Sequence, residues 1–245
     1  MNWIGQMMGS RQPRLPAGTR IYAIGDVHGY SDLLARIFEK IDADLRQRPI
    51  DRPLLVTLGD YIDRGPDSRG TIDLLLARRN VQETVCLRGN HEALILDFAK
   101  DASVMRLGER YGALDTLRSY GLACAPDMTA RELQDLCDAW QTALPQAHAS
   151  FFAQTPLSFT CGDYFFTHAG VKPGVPLKKQ VERDLIWIRE EFLQSDKWFG
   201  KLVVHGHTPV PEPDFRRNRV NIDTGAYSTG RLTCLVLEGT DKTIL

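Results

Sequence analysis

A chain of 245 residues with 43% hydrophobic and 25% charged residues is long enough to bury a substantial core and too evenly mixed to be fibrous or disordered. The formal net charge of -1 gives no overall attraction toward nucleic acid or an anionic membrane, and neither is expected as a partner. Five scattered cysteines, Cys86, Cys124, Cys137, Cys161 and Cys234, contain no Cys-x-x-Cys pair, which argues against a disulfide framework or a structural zinc site and fits a reducing, cytoplasmic setting.

No stretch is apolar for the length that a bilayer requires, and the first residues lack a signal-peptide pattern. They read as a flexible tail over 1–18, followed by one domain over 19–245. From Arg20 the chain alternates short apolar runs with helical patterns, an α/β signature. Arg20 to Ile24 reads as a strand, followed by the loop Gly-Asp-Val-His-Gly. A helix capped near Ser31 then carries Leu34, Ile37, Phe38, Ile41 and Leu45 on one face. Leu54 to Leu58 and Val81 to Leu87 repeat the scheme, each with a polar loop and a following helix. Three strand ends thus present polar loops at one edge of a sheet, where open α/β sheets place ligands.

Residues 100–154 break the rhythm and read as a helical insertion, with a capping box at Thr129 and Glu132. Being the part of the chain not spent on the strand-end loops, it is expected to set substrate choice. Leu157 to Thr160 and Tyr164 to Thr167 form an expected β-hairpin leading to His168. Val181 to Leu193 has helical spacing, with Trp187 and Arg189 near a helix end. Strands are expected at Lys201 to Val204, Val220 to Ile222 and Leu232 to Leu237. The basic run Arg216, Arg217 and Arg219 reads as a solvated turn between two strands.

Five motifs carry the chemistry: Gly25-Asp26-Val27-His28-Gly29, Gly59-Asp60 through Asp63-Arg64-Gly65, Gly89-Asn90-His91-Glu92, His168-Ala169-Gly170, and His205-Gly206-His207-Thr208. Each sets an Asp, Asn or His beside a glycine, as a side chain must be when it leaves a strand end through a tight turn to meet a metal. Carboxylate, imidazole and amide oxygen donors without thiolate suit manganese, iron or zinc. One such motif alone would read as a turn with a capping Asp, but five in this order do not.

In these motifs the chain resembles the phosphoprotein phosphatases, serine/threonine phosphatases of the bacterial and phage type, within the calcineurin-like metallophosphoesterases. The resemblance runs from about Arg20 to Leu237. It implies an α/β fold with a central β-sandwich flanked by helices, and two divalent metal ions, manganese foremost. It implies that Asp26 and His28 bind the first metal, that Asp60 bridges both, and that Asn90, His168 and His207 bind the second. Asp63, Arg64, His91 and Arg189 match positions that orient the acid or hold the phosphate. Physically, a bridging carboxylate can hold two divalent ions about 3.5–4 Å apart over a shared, acidified water, a hydroxide nucleophile near neutral pH. The guanidinium groups of Arg64 and Arg189 would neutralise the equatorial oxygens, while His91, held by Asp63, gives the leaving oxygen its proton.

His205 lies two residues before His207, so on a strand it would point to the same side, supporting a ligand without being one. Asp223 and Thr224 either support ligands or shape a turn at Gly225, Tyr227 is within reach of the phosphate without being assigned to it, and His148 reads as structural or exposed. The expected activity is phosphomonoester hydrolysis on phosphoserine or phosphothreonine proteins and small aryl phosphates. The alternative is a symmetrical diadenosine tetraphosphate hydrolase, against which Asp63-Arg64-Gly65 and Asn90-His91-Glu92 count. A non-catalytic scaffold would have lost ligands, and here none of the expected positions is missing.

Overall fold

The computed structural model describes residues 12–245. Its first half lays three parallel strands side by side, β1 (Thr19–Ile24), β2 (Arg52–Thr57) and β3 (Glu83–Cys86), joined by the helices α1 (Ser31–Gln47) and α2 (Ser68–Arg79). A third helix, α3 (Asn90–Phe98), opens on the loop after β3. The strands finish level, with Ile24 paired to Thr57 and Thr57 to Cys86, so their loops leave the sheet at one edge. The insertion then supplies α4 (Met105–Gly108), α5 (Ala113–Ser119), α6 (Ala130–Ala143) and α7 (Gln146–Gln154), with 3-10 turns around α4. The capping box that opens α6 is formed as expected, Thr129 and Glu132 each bonding the other's backbone.

After the insertion a second sheet is built. The hairpin β4 (Ser158–Cys161) and β5 (Tyr164–Thr167) leads to two short helices, α8 (Glu182–Trp187) and α9 (Glu190–Leu193), then β6 (Leu202–His205), β7 (Asp214–Phe215) and β8 (Arg219–Asn221). A short α10 (Ala226–Thr229) precedes β9 (Cys234–Glu238) and β10 (Asp241–Ile244), which return to the first sheet. Among the described residues the strand orders are β10-β9-β1-β2-β3 and β4-β5-β6-β8-β7. β5, β6 and β8 run parallel, so each sheet contributes three parallel strands.

The period of two along a strand divides the core. Ile21, Ala23, Leu54 and Val56 face Phe166, Val204 and Ile222 between the sheets. Tyr22, Ile24 and Leu55 face the opposite way, against Leu34, Ile37, Ile72 and Leu75 of α1 and α2. On the outer side of the second sheet, Phe165 and Val203 pack on Leu185, Ile186 and Phe192 of α8 and α9. Burying an aliphatic or Phe side chain of this kind is worth about 1.5–3 kcal/mol, which is why two sheets with three apolar layers hold together.

The structure departs from the sequence expectations in four places. The segment expected to be loose up to Gly18 lies outside the described residues over 1–11, but from Pro13 it is tied down. Leu15 is buried and its N–H donates to Gly239 O (2.8 Å), while Arg14 O accepts from Asp163 N–H (3.0 Å) and Pro13 O from the Tyr164 hydroxyl (3.2 Å). Val81 is no strand residue: its N–H and that of Gln82 bond Arg78 O and finish α2, leaving Val81 exposed. The helix expected over 181–193 is broken at Arg189 (φ -130, ψ -101). Finally, β7 and β10 went unforeseen, because a two-residue strand and an exposed, polar edge strand carry no alternation long enough to read. The basic run does form the turn between β7 and β8, although Arg219 itself is buried.

Candidate metal centre

All six parallel strands end at the same place. Asp26 and His28 follow β1, Asp60 to Arg64 follow β2, Asn90 and His91 follow β3, His168 follows β5, His207 follows β6 and Asp223 follows β8. To turn there, five non-glycine residues adopt left-handed backbone: His28 (φ 48), Asp60 (φ 52), Asp63 (φ 71), Arg64 (φ 69) and His207 (φ 66). Such conformations carry strain and persist only where the surroundings over-determine them. The glycines allow the loops to meet. A Cβ at Gly89 would lie 2.1 Å from Asp60 Oδ1, and one at Gly206 would lie 2.1 Å from Asp26 Oδ1.

Two clusters share Asp60. In the first, His28 Nε2 and His91 Nε2 each lie 3.6 Å from Asp60 Oδ2. In the second, His168 Nε2 lies 3.4 Å from Asp60 Oδ1, 3.0 Å from Asn90 Oδ1 and 3.1 Å from His207 Nδ1. His28, Asp60 and His91 form one triad of donor atoms within 4.8 Å of one another, and Asp60, His168 and His207 form another. Asp26 joins neither triad. Its Oδ2 accepts the His207 N–H (3.0 Å), and its Oδ1 has no hydrogen-bond partner among the described residues.

The hydrogen bonds around the rings fix their tautomers. Nδ1 of His28 donates to Ile62 O (2.9 Å) and Nδ1 of His168 to Leu58 O (3.0 Å), which turns a bare Nε2 lone pair of each toward Asp60. Burial lowers His28 to about 3 and His207 to about 2, and it also lowers His168, so these imidazoles are neutral donors. His168 Nε2, Asn90 Oδ1 and Asp60 Oδ1 then turn lone pairs on one another, an arrangement that is repulsive without a cation between them. Asp26, Asp60, Asp63, Glu92 and Asp223 are all buried here. Burial, with Asp223 and Asp60 adding, raises Asp26 well above the ordinary range, and burial pushes Asp223 up to about 6 and Glu92 to about 7. The Asp60 carboxylate between bare imidazole nitrogens and the buried, unpartnered Oδ1 of Asp26 are what divalent cations satisfy, so the residues present fit two such ions.

His91 differs from the other rings. Its Nδ1 lies 2.5 Å from Asp63 Oδ2. Burial would lower its pKa, but the Asp60 and Asp63 carboxylates outweigh burial and raise it. Asp63 is itself held by residues that the sequence motifs do not show: Thr116 of the insertion donates its hydroxyl to Asp63 Oδ1 and accepts the Asp63 N–H (2.8 Å). Glu92 was visible only as part of a motif. Its carboxylate accepts the N–H groups of Asp60 (2.8 Å), Tyr61 (2.8 Å) and Gly89 (2.9 Å), locking the loop after β2 to the start of α3.

Arg64 lies 4.2 Å over the ring of Tyr227, whose edge meets His28 (ring centroids 5.4 Å apart). Arg189 is exposed and reaches Thr208 Oγ1 (3.3 Å), so it borders the centre rather than entering it. His205 corrects the same-side expectation: β6 ends at His205, and the left-handed backbone of His207 turns the second ring away. His205 packs on Phe192 (centroids 4.9 Å apart). Thr224 serves the turn, donating to Arg231 O (2.8 Å). His148 is structural, bonded to the Tyr120 hydroxyl (2.8 Å) and to Asp73 (2.9 Å). Two further rings border the centre unannounced by any motif. Tyr111 lies 5.8 Å from His91, and Trp187 lies 5.9 Å from Tyr111 and 6.1 Å from His207.

The model of the calcineurin-like phosphoesterases matches residues 19–234, and the chain belongs to that family. It is a hydrolase of the metallophosphoesterase class. Among curated relatives, it is 28% identical to the asymmetrical bis(5'-nucleosyl)-tetraphosphatase PrpE of Halalkalibacterium halodurans, over 86% of this chain and 87% of the relative. It is 27% identical to the protein of the same name from Bacillus cereus strain Q1, over 86% and 88%. Among solved structures, a cold-active protein tyrosine phosphatase superimposes with TM-score 0.62 at 14% identity, covering 95% of this chain and 81% of that one. One described provisionally as a diadenosine tetraphosphatase superimposes with TM-score 0.63 at 19% identity, covering 94% and 97%. These structures bear out the α/β sandwich. No helix among the described residues is long and apolar enough to cross a membrane.

Proposed function

We propose that this phosphoesterase hydrolyses dinucleoside tetraphosphates. The observation that carries the reading is the match to tetraphosphatases along nearly their whole length and most of this chain. It favours this reading over the phosphoserine and phosphothreonine proteins first expected from the motifs. Protein dephosphorylation stays as a second reading because Asp63-Arg64 and Asn90-His91-Glu92, the residues that favoured it, all stand at the centre.

In this reading Asp26, His28, Asp60, Asn90, His168 and His207 hold two divalent ions, manganese being the first to test. When bound, such ions supply positive charge on the phosphate oxygens and acidify the attacking water. The protein's own residues do the rest. Arg64, stacked on Tyr227, and Arg189 at the rim present planar guanidinium groups to the equatorial oxygens. Asp63, gripped by Thr116, orients His91 so that Nε2 faces the centre as proton donor to the departing oxygen. Initial rates on diadenosine tetraphosphate, a phosphoserine peptide and p-nitrophenyl phosphate with manganese test the reading. A kcat/KM on the dinucleotide at least about tenfold above the peptide is expected, and the reverse order overturns it.

A further inference from the structure

Beside the metal centre, between α3 and α8, lies an open cleft of about 380 Å³, within the range of small-molecule sites. A larger one, about 520 Å³, lies at the far end of β2 among Asp42, Arg52 and Glu83 and contains none of the site residues. The cleft beside the centre has an apolar lining from Ala93, Leu96 and Ile186, and its rim carries Arg88 paired with Glu182 (3.3 Å), Lys100 paired with Asp97 (3.3 Å), and Arg183, which has no ion-pair partner among the described residues. Trp187 stands between the two spaces: it lines the cleft, and its ring centroid is 6.1 Å from that of His207.

We propose that this cleft is a nucleobase subsite in which the base stacks on Trp187 while the phosphate to be cleaved sits at the metal centre. The proposal rests on the nucleotide reading given above and adds where the base is held. Three observations lead to it. A half-buried indole against an apolar lining suits a flat aromatic group, which every base presents. Arg183 at the rim, with no carboxylate paired to it, suits a further phosphate of a polyphosphate chain. The distance also fits. The cleft opens on α3 at Ala93 and Leu96, which at 1.5 Å rise per residue lie about 4.5 and 9 Å along the helix from Asn90, the reach of one ribose between phosphate and base. Packing of Trp187 against the insertion would explain its contact with Tyr111, but not the cleft that Trp187 lines and Tyr111 does not.

The test isolates the base. Adenosine 5'-monophosphate and ribose 5-phosphate share phosphate and sugar and differ in the base alone, so each is used as a competitive inhibitor of p-nitrophenyl phosphate hydrolysis. The wild-type enzyme is expected to bind the nucleotide roughly tenfold or more tightly than the sugar phosphate, the worth of one stacked base. Trp187→Ala should reduce that ratio to near one, Trp187→Phe should keep most of it, and Leu96→Glu should reduce it by charging the cleft. Circular dichroism confirms that each variant is folded, and Leu96→Glu carries the test if Trp187→Ala is not. A wild-type ratio near one overturns the subsite, as does a ratio that survives both Trp187→Ala and Leu96→Glu. A ratio that depends on Trp187 in an enzyme that does not cleave diadenosine tetraphosphate keeps the subsite and sinks the substrate reading. Cleavage of the dinucleotide with a ratio indifferent to Trp187 does the opposite.

Discussion

The loops at the strand ends and the helical insertion touch the same histidine, yet they are built by opposite means. The loops hold five non-glycine residues in left-handed backbone, whereas the insertion has one, Asp127, in the turn before α6. The loops owe their shape to bonds drawn from elsewhere, such as the Glu92 carboxylate on three N–H groups. The insertion consists of short helices, α6 among them opened by a capping box, that lend single side chains, Thr116 to Asp63 and Tyr111 to His91. Chemistry is fixed by strained backbone that tolerates little change, and its tuning comes from helices that can vary without disturbing it.

The comparison breaks most sharply at Asp60. Asp60→Asn should leave less than about a thousandth of wild-type turnover and lower the bound metal, because a neutral amide cannot balance two cations. Circular dichroism should be unchanged, and wild-type turnover would refute the shared-carboxylate reading. Next comes His91→Asn. Proton donation is worth roughly a hundred- to ten-thousand-fold, so that loss is expected on a phosphoserine peptide. Clearly less should be lost on p-nitrophenyl phosphate or a phosphoanhydride, whose leaving groups depart readily as anions. Equal losses on all three, with metal content kept, would assign His91 to phosphate positioning instead.

Glu92→Ala tests whether the loop strain is imposed from outside. It strips the acceptor from three buried N–H groups, each costing about 1–3 kcal/mol when unpaired, so the melting temperature should fall by roughly 10 °C and activity should fall with it. An unchanged melting temperature would mean that the loop holds itself. The smallest effect belongs to the insertion. Thr116→Val removes both hydrogen bonds to Asp63, about 1 kcal/mol each, and should lower kcat a few-fold with KM nearly constant. A loss as large as that of His91→Asn would erase the distinction between the two regions.

Much of this was legible in the sequence for identifiable reasons. The strands and helices of the first half follow from periodicity, and the six proposed metal-binding residues stand beside glycines in short motifs. What a linear reading missed has no local signature. Thr116 sits amid the apolar pattern of Ala113, Leu114 and Leu117 and looks like any small helical residue. Trp187 and Tyr111 are far apart in the chain and meet only when the insertion folds over α8. Glu92 showed only as a residue three places after Gly89, where its helix-capping geometry coincides with its grip on Asp60. His205 misled because alternation along a strand was carried two residues past the strand's end, to His207.

One feature far from the chemistry bears on how the molecule comes apart. Residues 13–15 fasten both sheets at the end opposite the metal centre, through Gly239 on one side and Asp163 with Tyr164 on the other. The short stretch acts as a clasp across the mouth of the sandwich. Opening of that mouth must first release the clasp, so amide protons near the starts of β1, β5 and β6 should exchange together with that of Leu15, on one clock. A tag or fusion that pulls on residue 12 therefore loads both sheets at once, and its linker has to be long enough to leave the clasp shut.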